Sequence, residues 1–340
     1  MSKISVRQAL VFALLLPITA VAQVNLVDDI ETDSTVRDSA SEETKTANPC
    51  VDASGKFGFE LQEDRLVVTH AAKPLVEYVF RDPKILRPYF ANLYGPTGEK
   101  ITRSHPPISG KDSTDHSTMH PGIWLGFGDI NGVDFWRNRG RIQHMRFVTP
   151  PTATESQLIF AEESKLLTPD GTTMGGLINS FELCRRPAGW RIVWDATFTA
   201  TDLELVFGDQ EEMGLGARIA TDCTEVQGGT LVNSHGETSA KETWGKPARW
   251  CDYSGTRDGQ RIGITLMAGP MNFRESWWHN RDYGVFVANP FGRAAMGQGT
   301  KSAVPIKMGE SLRLVFGAAL HDGQDYDPEL EYEHFLQSIK

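Results

Sequence analysis

The sequence predicts an all-β protein, a large antiparallel β-sandwich of two sheets with a short C-terminal helix. Short runs of alternating apolar and polar residues, broken by Gly, Pro, Asn and Asp, recur from Lys56 almost to the end of the chain. Only the last segment has helical spacing. The sequence shows no internal repeat with a period of about 20–50 residues, which disfavours a propeller. No linker rich in Pro or Ser divides residues 50–340, so they are predicted to form a single domain.

The predicted strands follow the alternation in chain order. Residues 57–62 and 65–70 form a hairpin around Glu63-Asp64, and a strand at residues 76–80 ends before Asp82-Pro83. A strand at residues 122–128 precedes a tight turn at Asn131-Gly132. The further strands are predicted at residues 141–148, 157–167, 176–184, 190–200, 203–207, 215–220, 261–268, 285–288 and 311–321.

The C-terminal segment predicts an amphipathic helix. Asp327 stands where an N-cap would, and Pro328 suits the first turn because its missing N–H is not needed there. The residues expected on one face are Leu330, His334, Phe335 and Ile339.

Two segments precede the domain. Residues 1–22 combine a basic start, an apolar run and small residues at Ala20 and Ala22, which is typical of a cleaved signal peptide. The apolar run is shorter than the ~20 residues that span a bilayer, which disfavours a membrane span. Residues 23–49 are acidic, rich in Ser and Thr and without aromatic residues, and predict a disordered leader. The protein is therefore expected to be periplasmic or secreted.

Charge and cysteine content restrict the function. The formal net charge is −10 and no basic cluster occurs, which argues against nucleic acid and anionic membranes as partners. An even number of cysteines in an exported chain predicts one or two disulfides, with buried free thiols as the alternative. No Gly-x-Ser-x-Gly or phosphate-binding glycine loop is present. The four cysteines are Cys50, Cys184, Cys223 and Cys251.

Residues 113–136 are the densest group of titratable, aromatic and glycine residues. His116 and His120 are spaced as His-x-x-x-His, which binds metal ions when it lies on a helix, but the Pro-Gly that follows predicts a loop. Metal ligation, acid–base or sugar-binding roles, and structural hydrogen bonding all stay open for the two histidines. Trp124 is expected to line the same pocket.

A second cluster crowds Asp209, Glu211 and Glu212 beside a glycine-rich strand start. When carboxylates so near to one another are buried, the pKa of at least one of them rises. Such a shift is how a general acid or base arises. A solvated acidic turn and a calcium-like oxygen cage are the alternatives. Arg218 would offset the negative charge if it faced the same side.

Two downstream clusters place aromatic rings beside polar groups, an arrangement that suits sugars, whose C–H faces stack on aromatics while their hydroxyls need hydrogen-bond partners. One cluster spans residues 233–253 and the other residues 277–292. The residues expected to bind substrate there are His235, Trp278, Arg281 and Asn289, and His279 is a candidate acid or base.

Together these clusters resemble a bacterial secreted domain family of unknown function labelled "methane oxygenase PmoA-like", over roughly residues 60–321. The resemblance implies a secreted protein associated with carbohydrate processing, and its label implies a metal-dependent oxidoreductase. The motifs that carry it here are Asp115-His116…His120-Pro-Gly-Ile-Trp124, Phe207-Gly-Asp209-Gln-Glu-Glu212, Trp244-Gly-Lys-Pro-Ala-Arg-Trp250, Trp278-His279-Asn-Arg281 and Ala288-Asn289-Pro-Phe-Gly292.

The sequence therefore predicts a carbohydrate-active enzyme that hydrolyses, eliminates or epimerises a sugar or glycoside. The alternatives are a non-catalytic carbohydrate-binding protein and a metal-dependent oxidoreductase. The fold can take the form of a galactose-mutarotase-like supersandwich. A divalent metal is compatible with the sequence and would use His116 and His120. The candidate catalytic residues are His116, His120, Asp209, Glu212 and His279, and the candidate substrate-binding residues are Trp124, Arg218, His235, Trp278, Arg281 and Asn289.

Overall fold

The structure is a computed structural model, and it describes residues 55–340. The predicted signal peptide (residues 1–22), the predicted leader (residues 23–49) and Cys50 lie outside these residues. The strands, in chain order, are β1 (Phe57–Leu61), β2 (Arg65–His70), β3 (Lys73–Val79), β4 (Tyr89–Ala91), β5 (Ile123–Phe127), β6 (Arg141–Ala153), β7 (Gln157–Leu167), β8 (Thr173–Arg186), β9 (Gly189–Thr199), β10 (Leu205–Phe207), β11 (Met213–Arg218), β12 (Thr230–Asn233), β13 (Trp250–Arg257), β14 (Gln260–Ala268), β15 (Trp277–Asn280), β16 (Val285–Asn289), β17 (Val304–Ile306) and β18 (Ser311–Asp322). The helices are α1 (Ala240–Thr243) and α2 (Pro328–Ser338).

Two eight-stranded antiparallel sheets confirm the predicted sandwich. The first has the order β1-β2-β3-β4-β5-β11-β16-β15, and the second the order β12-β13-β14-β18-β9-β8-β7-β6. The core between them is rich in aromatic rings. Phe90 of the first sheet, for example, lies 5.3 Å from Phe181 and 5.5 Å from Trp194 of the second, measured between ring centroids.

The centre of the first sheet is buried on both faces. All five residues of β5 and all six of β11 are buried, a pattern that indicates a strand covered on two sides rather than one. Leu125 faces the core between the sheets, whereas its neighbour Trp124 joins a second apolar cluster with Trp136 and Val287 on the outer face. The outer face of the first sheet is therefore covered by other parts of the chain.

Five strands, β4, β12, β13, β15 and β17, were not among those that the sequence predicted. In β15 the run Trp-Trp-His-Asn hides the alternation, because Trp278 turns into the core while His279, also buried, points to the outer face. Among residues 55–340, no helix is both long and apolar enough to cross a membrane.

The C-terminal helix begins as predicted, and Phe335 and Ile339 of the predicted inner face pack against apolar residues, but Leu330 of that face does not. Asp327 accepts hydrogen bonds from the main-chain N–H groups of residues 329 and 330. Leu330 is largely exposed, whereas Tyr332 and Phe335 are buried. The cause is Glu331, whose carboxylate binds buried arginines of the second sheet and turns this side of the helix inward.

Of the one or two disulfides that the sequence predicts, the structure allows at most one. Cys223 and Cys251 are buried free thiols in separate surroundings, and burial raises the pKa of the Cys223 thiol to about 12. Cys251 Sγ accepts a hydrogen bond from Asn280 Nδ2 at 3.6 Å. Cys184 is also buried, in β8.

The ion pairs of Glu331 generate a stability prediction. Its carboxylate lies 3.0 Å from Arg186 Nε and 3.3 Å from Arg191 Nη1. In the variant Glu331→Ala, these buried guanidinium groups lose their shared carboxylate, so we expect the free energy of unfolding to fall by about 3–5 kcal/mol. Urea unfolding followed by circular dichroism measures it. The control Glu333→Ala, exposed on the same helix, should stay within about 0.5 kcal/mol of the wild type. Equal effects of the two variants would contradict this account.

Candidate functional site

Glycines form the floor of the candidate site on the outer face of the first sheet. Gly126 of β5 pairs with Gly214 of β11, and Gly216 pairs with Trp124. A Cβ atom added at Gly216 would lie 2.6 Å from the Trp124 ring, and one added at Gly126 would lie 2.8 Å from the Trp136 ring. Because these positions carry no side chain, the two indoles lie directly against the sheet.

His120 packs on this indole floor. Its ring stacks on Trp124 at a centroid distance of 5.1 Å and an angle of 15°, and it lies 5.5 Å from the Trp136 ring. Burial, together with the nearby Arg218 guanidinium, lowers the pKa of His120 well below its usual range. His120 is therefore neutral at neutral pH, and its Nδ1 lies 3.4 Å from Arg218 Nη1.

Arg218 holds Asp115 in a two-pronged ion pair. Arg218 Nη2 donates to Asp115 Oδ1 at 2.9 Å and Nη1 donates to Oδ2 at 3.1 Å, while only 1% of the Arg218 side chain is exposed. Partial burial raises the pKa of Asp115, but hydrogen bonds from Ser113, His116 and Arg218 outweigh it and hold that pKa far below its usual range. Tyr283 covers the guanidinium of Arg218, with 4.7 Å between Cζ and the ring centroid.

His116 lies at the mouth of the site with 45% of its side chain exposed. Its Nδ1 lies 2.9 Å from Asp115 Oδ2, and its ring faces Tyr283 at 6.4 Å and 21°. The backbone of His116 has a φ of 47°, in the left-handed region, and the segment around it is a turn. The prediction of a loop rather than a helix at His116 and His120 is confirmed.

Two buried arginines hold this loop from below. Arg103 donates to three main-chain carbonyls of residues 113–120 at 2.6–3.0 Å, and Arg87 donates to those of Met119 and Trp136 at 2.7 and 2.9 Å. Burial lowers the pKa of each guanidinium to about 10, so both remain charged at neutral pH. No sequence pattern indicates these two residues, because the main-chain carbonyls that they bind carry no residue-type signature.

Strand pairing brings His279 to the same face. Trp124 pairs with Gly216, Gly216 with Val287, and Val287 with His279, so the four residues form one row across the sheet. Neighbouring strands lie about 4.8 Å apart, which puts the backbones of Trp124 and His279 about 14 Å apart. The indole of Trp124 covers Gly216 and closes part of that distance.

Two carboxylates surround the buried His279. Its Nδ1 lies 3.0 Å from Glu211 Oε2, without the alignment of a hydrogen bond. Arg281 Nη2 donates to the same oxygen at 2.8 Å, and Arg137 Nη2 lies 3.5 Å from Glu212 Oε2. The pKa of Glu211 is lowered, chiefly by the adjacent His279 and also by the positive charges of Arg281 and Arg137. Together these effects outweigh partial burial, which raises that pKa.

Asn289 and Asp209, which the sequence proposed as site residues, organise the backbone instead. The buried Asn289 side chain donates to the carbonyls of Gln210 and Glu211 at 2.7 and 2.9 Å, so it positions the carboxylate segment. Asp209 accepts three main-chain N–H groups from residues 294, 295 and 302.

Trp278 lies outside the site, which corrects its predicted role as a substrate-binding residue, whereas the role predicted for His235 stays a prediction. Trp278 points into the core because strand alternation turns it away from His279, and its Nε1 donates to Ala248 O at 2.9 Å. His235 lies exposed in the turn that follows β12, at the edge of the second sheet. The structure adds four residues that were not among the candidate catalytic or substrate-binding residues: Asp115, Glu211, Arg137 and Tyr283.

A separate cleft of about 380 Å³ lies beside the first sheet. It is lined by His144, Arg81 and Arg141 among others, and shares only Arg87 with the residues described above. Among residues 55–340, the two groups of three side chains whose ligand atoms converge closely enough to hold a metal ion lie elsewhere: Asp115, His116 and His120 form one, and Glu211, Glu212 and His279 form the other. We therefore place the candidate site at these groups.

Comparison with known proteins identifies a family and a fold resemblance. A family model described as "Family of unknown function (DUF6807)" matches residues 65–333. No curated protein matches the chain. Among solved structures, a galactose mutarotase-like protein from Lactobacillus casei ATCC 334 is 9% identical, with a TM-score of 0.33, over 78% of this chain and 100% of that chain. Galactose 1-epimerase from Lactobacillus acidophilus NCFM is 9% identical, with a TM-score of 0.41, over 80% of this chain and 100% of that chain. Similarity this low does not bear on function.

The neutral, buried His120 predicts a pH dependence of stability. Its pKa is lowered in the folded state, so below about pH 6.5 only the unfolded chain takes up the proton. The stability that His120 contributes is therefore complete above about pH 6.5 and is lost as the pH falls. We expect His120→Gln to flatten the dependence of the unfolding free energy on pH below 6.5, measured by urea unfolding.

The matched control is His235→Gln, since His235 is exposed in the folded state. It should leave the slope of unfolding free energy against pH unchanged. The same slope in His120→Gln and the wild type would show that His120 is not held neutral by the fold.

Proposed function

The chain belongs to DUF6807, a family of unknown function, and we propose that it is a carbohydrate-active enzyme in which His116 removes a proton from a sugar carbon. The reaction class is elimination or epimerisation of a sugar whose C–H lies beside a carboxylate or carbonyl group. The observation that carries the proposal is the hydrogen-bonded pair of Asp115 and His116 at the mouth of the site, with the buried guanidinium group of Arg218 bound to the same carboxylate.

His116 has the surroundings of a general base. Asp115 binds Nδ1 of the imidazole and fixes the ring, which leaves Nε2 to face a substrate. Arg218 and Ser113 keep Asp115 ionised, so the carboxylate can stabilise the imidazolium that forms. The nearly half-exposed ring of His116 is accessible to a ligand from solvent.

The buried guanidinium groups suit the negative charge that proton removal creates. Arg87, Arg103 and Arg218 surround the loop, and Asp115 is the carboxylate that pairs with two of them. When Nε2 of His116 takes the proton, the electron pair of the C–H bond passes into an enolate, which nearby positive charge stabilises. Return of a proton on the other side epimerises the carbon, whereas loss of a group from the adjacent carbon completes an elimination.

Aromatic rings beside Arg281 support a sugar as the substrate. Tyr283 and Trp244 are half-buried, and Arg281 Cζ lies 5.9 Å from the Trp244 ring centroid. Sugar C–H faces stack on such rings, and a planar guanidinium binds a carboxylate through two hydrogen bonds. Arg281 is 35% exposed, so it can turn from Glu211 to a sugar carboxylate.

Hydrolysis by a carboxylate pair has less support. Glycoside hydrolases place two carboxyl groups about 5–9.5 Å apart on either side of the scissile bond. Glu211 and Glu212 are consecutive in the chain, and each offers an oxygen within 4.8 Å of the other and of His279. Asp209, the third candidate carboxylate, is bound by main-chain N–H groups.

Export to the periplasm or the cell exterior, which residues 1–22 predict, would bring such an enzyme to polysaccharide. The resemblance to the PmoA-like family and the oxidoreductase alternative stay predictions. The following experiment distinguishes such an enzyme from a protein that binds carbohydrate without catalysis.

The experiment uses a panel of uronate oligosaccharides and keto sugars in deuterated water. We expect a substrate to give either carbon-bound deuterium, detected by NMR, or an unsaturated product, detected by ultraviolet absorbance. His116→Gln should lower turnover by about 10²–10⁴-fold because the proton acceptor is lost. Its affinity for the same sugar, measured by calorimetry, should change little.

His334→Gln, on the C-terminal helix that packs against the second sheet, is the matched control and should keep full turnover. Full turnover in His116→Gln would exclude His116 as the base. Products of hydrolysis without carbon-bound deuterium would contradict the reaction class, and tight sugar binding without turnover would identify a binding protein.

A further inference from the structure

We propose that Glu211, Glu212 and His279 bind one divalent transition-metal ion of the Zn²⁺ or Mn²⁺ class. Each residue offers one ligand atom, and these atoms lie within 4.8 Å of one another. Two carboxylates and a neutral imidazole carry two negative charges, which a divalent ion neutralises. The site itself does not depend on the proposed function, but its place beside the sugar does.

His279 gives the independent observation that a ligand is missing from its surroundings. The side chain is buried, and Nδ1 is enclosed without a hydrogen-bond partner among residues 55–340. Nδ1 lies 3.0 Å from Glu211 Oε2 but is not aligned to share a proton with it. Buried polar atoms are nearly always satisfied, and an enclosed imidazole nitrogen beside two carboxylates is a typical metal ligand.

The fold holds the three ligands in place before any ion binds. His279 lies within β15 and pairs with Val287 of β16. Asn289 binds the main-chain carbonyl of Glu211, and the main-chain N–H of Gly128 binds that of Glu212 at 3.0 Å. Ligands carried by paired strands and anchored backbone lose little freedom when they bind an ion.

Arg281 and Arg137 now neutralise the two carboxylates, and both can leave. Their side chains are 35% and 44% exposed, and ion pairs that exposed contribute little to stability. Arg137 also keeps a second partner, Asp134, at 2.9 Å. Replacement of these guanidinium groups by an ion would free Arg281 for a sugar carboxylate.

The other group of metal-compatible residues lacks this freedom. Asp115, His116 and His120 also offer ligand atoms within 4.8 Å of one another. However, Arg218 binds both carboxylate oxygens of Asp115 and is almost fully buried, so it cannot turn away. A cation there would lie against a fixed positive charge. The metal site is therefore placed at His279 rather than at His116 and His120.

The donor set also selects the ion. Ca²⁺ and Mg²⁺ prefer sites made entirely of oxygen, whereas imidazole nitrogen suits transition metals. We therefore expect Zn²⁺ and Mn²⁺ to bind at least tenfold more tightly than Ca²⁺ or Mg²⁺.

The test is equilibrium dialysis of the purified, chelator-stripped protein against Zn²⁺, Mn²⁺, Ca²⁺ and Mg²⁺, with elemental analysis. We expect one Zn²⁺ or Mn²⁺ ion per chain. His279→Ala should weaken binding at least tenfold, and so should the more conservative Glu212→Gln. Co²⁺ should give an absorption spectrum that changes in both variants. His116→Ala, which removes a ligand of the other group, should bind as the wild type does.

Absence of a stoichiometric ion would overturn the inference, and so would loss of binding in His116→Ala but not in His279→Ala. Circular dichroism shows whether the variants are folded. If His279→Ala is unfolded, the metal affinity of Glu212→Gln serves as the test instead. The two proposals fail separately. A protein that binds no ion but turns over sugar refutes only the metal site, whereas full turnover in His116→Gln refutes only the role of His116.

Discussion

The candidate site depends on buried guanidinium groups that bind main-chain carbonyls. Residues 113–120 form no regular secondary structure, so their carbonyls need partners from elsewhere, since buried polar groups without partners are costly. Arg103 and Arg87 supply those partners from below the loop. Arg218 then fixes Asp115, and Asp115 fixes His116. The orientation of one exposed histidine thus depends on three buried positive charges.

The order of strands in the first sheet brings Glu211, Glu212 and His279 to the same face as His116 and His120. β11 lies between β5 and β16, so residues that are about 100 and 160 positions apart in the sequence meet on one face. Gly216 also shapes the site, because its missing side chain leaves room for Trp124 and hence for His120. The site is a consequence of antiparallel pairing combined with small residues at its centre.

The sandwich, most of its strands and the start of the C-terminal helix follow from alternation and capping, which are local properties of the sequence. The site was only partly predictable, for reasons that are not local. Adjacent residues of a strand point to opposite faces, and without the register nothing distinguishes Trp278 in the core from His279 on the outer face. Arg218 was expected to offset the carboxylates of residues 209–212, but it binds Asp115 instead. Asn289 was expected to bind substrate, but its side chain binds main-chain carbonyls.

The central claim is that one face of the first sheet binds a sugar between His116 and His279. The most direct measurement is a crystal structure of the protein soaked with a uronate oligosaccharide that it binds in solution. The account predicts sugar density against Tyr283 and Trp244, with its carboxylate at Arg281. Ordered sugar in the separate cleft beside His144, with the outer face occupied only by water, would contradict it.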